Sequence, residues 1–167
     1  MIFKNEFKKI LVTGGAGFIG SALIRKLLDF NNCDILNLDK YGYASDLTSI
    51  KQKLNNLQSI NKNKYQFSKV DLCDSNSVQD VINNFKPDII FNLAAETHVD
   101  RSIDNPYSFI QNNIVGTYNL LDSTLKFWNS LKKEKQISFR LIHVSTDEVF
   151  GSIEGNTKFN EKSPYLP

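Results

Sequence analysis

Ile10-Leu11-Val12-Thr13-Gly14-Gly15-Ala16-Gly17-Phe18-Ile19-Gly20 is the stretch that decides the fold. Ile10 to Thr13 reads as a short buried strand, and beyond the glycines Leu23, Ile24, Leu27 and Leu28 repeat at helical spacing. The glycines therefore form the turn between a strand and a helix N-terminus. A dinucleotide fingerprint requires that context. Gly14, Gly17 and Gly20 permit a tight turn, let the backbone approach a pyrophosphate and allow close helix packing, while the helix dipole favours the anion. A second strand, Asp34 to Leu38, ends in Asp39, 19 residues after Gly20 and close to where the fingerprint expects an acid for the ribose 2′-hydroxyl. That acid would repel a 2′-phosphate, so NAD is favoured over NADP. The alternative is a turn that is only structural.

Outward from this unit, strands and helices alternate. Asp46 to Leu57 has Leu47, Ile50, Leu54 and Leu57 at helical spacing, and the polar run Ser59 to Lys64 reads as a loop. A third strand, Tyr65 to Val70, ends in Asp71-Leu72-Cys73-Asp74, after which Ser75 is the expected N-cap of a helix with Val78, Val81, Ile82 and Phe85 on one face. Pro87 closes that unit. Asp88 to Leu93 is nearly all apolar, as a strand covered on both faces should be. A polar loop, Ala94 to Ser102, precedes a long helix over Tyr107 to Phe127, with Trp128 packed at its end and Lys132 to Lys135 a solvated helix end. A fifth strand, Arg140 to Ser145, follows, with His143 expected in the core. The alternation predicts a Rossmann-like α/β fold: a doubly wound parallel sheet in the order 3-2-1-4-5, forming one domain over residues 1–167.

Composition narrows the classes. With 41% hydrophobic and 23% charged residues the chain is ordinary for a globular domain. Its net charge of +2 comes from 20 basic and 18 acidic residues that are interspersed, so no basic face for nucleic acid is implied. Cys33 and Cys73 are too few for a disulfide framework or a zinc site, and no metal is expected. Met1 to Lys9 lacks the apolar run of a signal peptide, and no later segment is long enough to span a bilayer. The chain thus reads as cytoplasmic.

The other informative segment is Ser145-Thr146-Asp147-Glu148-Val149-Phe150-Gly151, which sets two adjacent carboxylates beside a hydroxyl where the fifth strand runs out. In open α/β sheets the ligand crevice lies outside the carboxyl ends of the strands, so side chains leaving the sheet there face a bound molecule. An ordinary acidic turn is the competing reading.

The blocks GGAGFIG, LDKYGYASDL, VDLCD, LAAETHVDRSIDNPYSFIQNNIVGTYNLL and HVSTDEVFG together resemble the nucleotide-sugar branch of the extended short-chain dehydrogenase/reductases, and most closely its dTDP-glucose 4,6-dehydratases. STDEV is the most specific block, because related epimerases and decarboxylases generally lack that acid pair. The resemblance implies a tightly held NAD. Phe18 and Ile19 would line the pyrophosphate turn, Asp39, Lys40, Tyr41 and Gly42 would surround the adenosine ribose, and Asp71 and Leu72 would border the adenine. Leu93, Ala94, Ala95, Glu96, Thr97 and Asn112 would flank the nicotinamide half. Many relatives have Ser for Thr97, Thr for Asn112 and Tyr for Phe150.

The implied reaction removes water from dTDP-glucose to give a 4-keto-6-deoxy sugar. The proton on carbon 5 of a hexose is barely acidic, but oxidising the 4-hydroxyl to a ketone makes it removable. By the family's pattern Glu148 takes that proton, Asp147 protonates the departing 6-hydroxyl, and Thr146 holds the 4-hydroxyl; Thr97 would reach the sugar or the cofactor ribose. Asp147 must then carry its proton at working pH while its neighbour does not, the usual way two acids split into two roles. His98 and Arg101 are candidates for substrate phosphates or for structural hydrogen bonds. The family's hydride-step base, a Tyr with a Lys four residues later, does not occur beyond Glu148, and Tyr165 has no lysine after it. The resemblance therefore implies about the N-terminal half of a dehydratase, without the substrate domain. The chain alone is expected to be an NAD-binding module with little or no turnover. A UDP-sugar epimerase, a decarboxylase or a UDP-glucose 4,6-dehydratase is the alternative. Relatives dimerise through the long helix and its successor, so an uncovered helix face and an unpaired fifth strand predict poor solubility.

Overall fold

The structure, a computed structural model, describes residues 7–30, 33–57, 64–153, 155 and 157–167. Most of the predicted Ser59 to Lys64 loop, and Met1 to Glu6 of the N-terminal segment, lie outside the described residues. Five parallel strands form one sheet in the order β3-β2-β1-β4-β5. They are β1 (Lys9–Thr13), β2 (Asp34–Asp39), β3 (Tyr65–Lys69), β4 (Ile89–Asn92) and β5 (Arg140–His143). The Rossmann-like order read from the sequence is the observed one. Among the described residues no helix is long and apolar enough to cross a membrane.

Strand alternation sorts the core into two faces. On one side Ile10 and Val12 of β1 pack with Ile35, Ile89 and Phe91 under Ile24 and Leu27 of α1 (Phe18–Leu27) and Ile50 of α2 (Thr48–Asn55). On the other, Leu11, Leu36, Leu38 and Ile90 meet Val78, Ile82 and Phe85 of α3 (Ser75–Phe85) and Leu120 and Phe127 of α6 (Gly116–Ser130). Each such fully buried aliphatic side chain contributes roughly 1.5–3 kcal/mol, so the central strands anchor the fold. All four residues of β4 are buried. β5 closes the row as an edge strand, and only Leu141 among its residues is even half-buried.

Several expectations need correction. Asp74, not Ser75, caps α3, because its carboxylate is the group that accepts from the Ser77 N–H (3.1 Å). The loop after β4 contains a short helix, α4 (Val99–Asp104). The long helix is continuous from Pro106 to Ser130 but not uniform: α5 (Pro106–Phe109) opens into a π-helical stretch, Ile110–Val115, before α6 begins. Lys132 to Lys135 is not the end of that helix. Leu131 is extended, and Lys133 starts a separate helix, α7 (Lys133–Ser138). Trp128 does pack there, its indole N–H donating to the Gln136 carbonyl (3.0 Å). His143 is exposed rather than core, because β5 is an edge, although its Nδ1 accepts from the Asn92 amide (2.9 Å).

Candidate functional site

The carboxyl ends of β1, β2 and β4 frame a cleft that opens to solvent. Gly14 begins it. Its φ of +69° suits glycine, and a Cβ there would stand 2.6 Å from the Ala94 nitrogen, so the turn after β1 packs directly on the chain leaving β4. A Cβ on Gly20 would stand 2.1 Å from the Gly14 carbonyl oxygen, which makes Gly20 a packing glycine for α1. Gly17 differs from both. The nearest atom to a Cβ there is the Gly14 oxygen at 3.2 Å, and its backbone is extended, so a side chain would need the turn to give by only a few tenths of an ångström.

Asp39 ends β2 and is buried at the head of the cleft. Its Oδ2 accepts from the Ala16 N–H (3.0 Å), and its Oδ1 accepts from the Tyr41 N–H (2.7 Å) and the Ser45 hydroxyl (3.0 Å). The second of these holds Tyr41 in a left-handed conformation (φ 57°), its ring edge-on to Phe67. Lys40 turns the other way. Its ammonium bridges the cleft to Glu96 Oε1 (2.6 Å) and Asn112 Oδ1 (2.9 Å). A second cross-cleft contact puts the Arg101 guanidinium over the Tyr43 ring at 4.3 Å.

The walls after β4 and β3 are pinned by two asparagines outside the expected site residues. Asn113 exchanges a pair of bonds with the Glu96 backbone, accepting from its N–H (2.8 Å) and donating to its carbonyl (2.9 Å). Asn119 donates to the Leu72 and Cys73 carbonyls (3.0 and 3.2 Å), fixing the adenine-side wall expected from Asp71 and Leu72. The signal available was three asparagines interrupting the apolar pattern of one helix.

Of the expected cofactor residues, Gly14, Gly17, Asp39, Lys40, Gly42, Asp71, Leu72, Leu93, Ala94, Ala95, Glu96 and Asn112 line the cleft. Phe18 and Ile19 stand at the first turn of α1 and face solvent, 94% and 62% exposed. Gly20, Tyr41 and the exposed Thr97 flank the lining without joining it. Leu38, Tyr43, Ala44, Ser45 and Val70 line it in addition.

Thr146, Asp147 and Glu148 lie outside that lining, one strand further along the same crest. Asn92 ties the crest together: it accepts from the Thr13 hydroxyl (2.5 Å), donates to His143, and its carbonyl accepts from the Val144 N–H (3.0 Å). Beyond Val144 the chain makes one 3-10 turn, Asp147–Phe150, capped by the Thr146 hydroxyl accepting from the Glu148 N–H (3.2 Å). Both carboxylates are exposed. The turn is backed by the C-terminal segment. Phe150 stacks on Phe159 (5.2 Å) and lies tilted against Tyr165 (5.5 Å), and the Leu166 N–H donates to the Val149 carbonyl (3.1 Å). Among the described residues no group of three or more His, Cys, Asp or Glu is placed to hold a metal.

The sequence family described as GDP-mannose 4,6 dehydratase matches residues 11–167, from the glycine turn through the acid pair. The chain belongs to the GDP-mannose 4,6 dehydratase family. Among curated members, the dTDP-glucose 4,6-dehydratase of Haemophilus influenzae is 44% identical over 95% of this chain and 45% of its own length. That of Escherichia coli is 46% identical over 87% of this chain and 38% of its own. This member of the GDP-mannose 4,6 dehydratase family thus spans less than half the length of those relatives. Among solved structures, the dTDP-glucose 4,6-dehydratase of Streptomyces venezuelae, crystallised with NAD bound, superposes with a TM-score of 0.76 at 32% identity, over 95% of this chain and 45% of that one. The UDP-Glc/GlcNAc 4-epimerase of Campylobacter jejuni superposes equally well (TM-score 0.76, 29% identity, 96% and 43% covered), so backbone shape alone does not separate the two chemistries.

Proposed function

We propose that residues 1–167 are the NAD-binding domain of a dTDP-glucose 4,6-dehydratase, a lyase that converts a nucleotide-hexose to a 4-keto-6-deoxy sugar. The observation that carries this reading is the Asp147-Glu148 pair leaving β5 one strand from a glycine-turned cleft headed by a buried aspartate. The identity to curated dehydratases supports the substrate class. The residues present fit NAD: Gly17 leaves its backbone approachable, and Asp39 supplies a buried acid where the dinucleotide fingerprint expects one.

On this reading Gly14, Gly17, Phe18, Ile19 and Gly20 hold the pyrophosphate. Asp39, Lys40, Tyr41 and Gly42 hold the adenosine ribose, and Asp71 and Leu72 the adenine. Leu93, Ala94, Ala95, Glu96, Thr97 and Asn112 hold the nicotinamide half. NAD, when bound, supplies the hydride acceptor that turns the 4-hydroxyl carbon into a ketone and the donor that later reduces carbon 6. Glu148 then removes the proton from carbon 5, Asp147 donates a proton to the departing 6-hydroxyl, and Thr146 orients the 4-hydroxyl. The exposed face of Tyr107, Ile114, Tyr118 and Leu121 supports a homodimer in the whole protein. Two unpaired cysteines suit a reducing, cytoplasmic setting.

Because no Tyr-x-x-x-Lys follows Glu148 in these residues, the 167-residue chain by itself binds NAD without appreciable turnover. Loss of a catalytic base costs on the order of 10² to 10⁴ in rate. Two measurements test the proposal. Titration calorimetry with NAD should show saturable binding to the chain; none would refute the cofactor reading. A protein carrying a continued reading frame with the Tyr-x-x-x-Lys pair should convert dTDP-glucose to its keto product, and Glu148→Gln should nearly abolish this, whereas an epimerase would remain largely active.

A further inference from the structure

Lys40 is the one cation among the described residues that line the cleft, against three acids: Asp39, Asp71 and Glu96. It directly follows Asp39, the acid placed to meet the adenosine ribose. A basic side chain beside that ribose is the standard means of accepting a 2′-phosphate, so Lys40 is positioned to undermine selectivity against NADP. Its conformation prevents this. The side-chain stem runs across Gly42, where a Cβ would stand 3.1 Å from Lys40 Cε, and the ammonium is engaged by Glu96 Oε1 (2.6 Å) and Asn112 Oδ1 (2.9 Å) on the opposite wall. Glu96 is held for this task through its backbone, by the two bonds to Asn113. Asn112 is fixed by donating to the Ser108 carbonyl (2.7 Å). Both charged side chains are mostly buried, 34% and 20% exposed, so their attraction is less screened than that of a surface pair.

We infer that Glu96 is a specificity-determining positioning residue: by sequestering Lys40 across the cleft, it leaves Asp39 unopposed and so enforces NAD over NADP. A freed ammonium beside Asp39 would offset the repulsion between that carboxylate and a third phosphate, while NAD, which carries none there, would gain much less. Discrimination then depends on a residue on the far wall of the cleft, reached through an ion pair rather than by contact with the ribose. The inference rests on the dinucleotide reading of the cleft.

The experiment compares equilibrium binding of NAD and NADP, by titration calorimetry, to the chain and to four variants: Glu96→Gln, Glu96→Asp, Lys40→Met and the double variant Glu96→Gln/Lys40→Met, each checked for folding by circular dichroism. The native chain should bind NAD and discriminate against NADP. Glu96→Gln should narrow the NAD-to-NADP affinity ratio by about five- to tenfold, chiefly through tighter NADP binding. Glu96→Asp, which keeps the charge but shortens the reach, should narrow it less and serves where the Gln variant does not fold. Lys40→Met alone should leave NADP excluded, and in the double variant the gain should vanish. A merely structural role for Glu96 would weaken both dinucleotides together without moving the ratio. An unchanged ratio in folded Glu96 variants that still bind NAD overturns the inference alone, as does a gain that survives in the double variant. Failure of the native chain to bind NAD overturns this inference and the dinucleotide reading together.

Discussion

The carboxylate of Asp39 lies 3.0 Å from the backbone nitrogen of Ala16, so the end of β2 holds the glycine turn that ends β1. One side chain therefore supports the turn's shape and forms the head of the cleft. Replacing Asp39 with Ala leaves the Ala16 N–H without its acceptor and releases Tyr41 and Ser45. A buried donor left unpaired costs about 1–3 kcal/mol, so chemical denaturation should show a loss of that size together with a sharp fall in NAD affinity. Asp39→Asn, which keeps one acceptor oxygen but turns an amide NH2 toward either the Ala16 or the Tyr41 N–H, should recover only part of the stability and little of the binding.

Gly14 and Gly17 should behave oppositely when each is changed to Ala. At Gly14 the added carbon meets the Ala94 and Leu93 backbone at 2.6–2.7 Å on a left-handed φ, so Gly14→Ala should unfold or severely destabilise the chain. At Gly17 only the Gly14 oxygen is near, and Gly17→Ala should melt within about 1 kcal/mol of the native chain while binding NAD at least tenfold more weakly. Thermal denaturation paired with calorimetry separates the two effects.

Acid should find a weak point at the opposite, N-terminal edge of the sheet. Asp88 accepts from the Lys8 and Lys9 N–H groups (2.9 and 3.0 Å) and from the Lys135 ammonium (3.0 Å). Burial pushes its carboxyl up, but Lys135 and the two backbone donors outweigh burial and hold it below the ordinary aspartate range. A carboxyl depressed on folding stabilises above its unfolded value, about 3.9, and that contribution is lost as pH falls through the lower folded value. Urea midpoints measured from pH 6 downward should thus drop more steeply below about pH 4 in the native chain than in Asp88→Asn, which should be less stable at neutral pH.

Self-association should be pronounced. Tyr107, Ile110, Ile114, Tyr118, Leu121 and Leu125 are each about half to two-thirds exposed along α5, the π-helical stretch and α6. Light scattering should show mass rising with concentration, and Ile114→Glu with Leu121→Lys should lower it without lowering the melting temperature by more than about 1 kcal/mol equivalent. An unchanged mass in that variant would move the association to the edge strand β5.

The sheet was legible because its signals are local and agree with one another: apolar runs such as Ile89 to Phe91, a glycine turn, and helical spacing in Leu23, Ile24 and Leu27. So was most of the cleft, since the turn and the strand ends of β2, β3 and β4 converge wherever this order is adopted. What escaped depended on contacts remote in sequence. Nothing near Asn113 or Asn119 announces that each reaches backbone 17 or more positions away. His143 read as core because it lies within a largely hydrophobic run, Leu141 to Val144, and its exposure follows only from the place of β5 at the edge. The π-helical stretch has no local signature, since Ile110 to Val115 carries the same apolar spacing as the helix around it. The helix α7 was hidden for a simpler reason: Lys133 to Ser138 is too short to show a period.

The wide turn at Ile110–Val115 has a consequence for how this family can vary. A π-helical turn holds about one residue more than an α-helical one, so removing that residue would restore regular winding with the flanking helices still in register, and only the residues inside the segment would change the direction in which they point. Asn112 and Asn113 would leave the cleft wall together, and the bridge to Lys40 would break with them. A single-residue change within those six positions would therefore re-aim the contacts to Lys40 and Glu96 without moving the helices on either side.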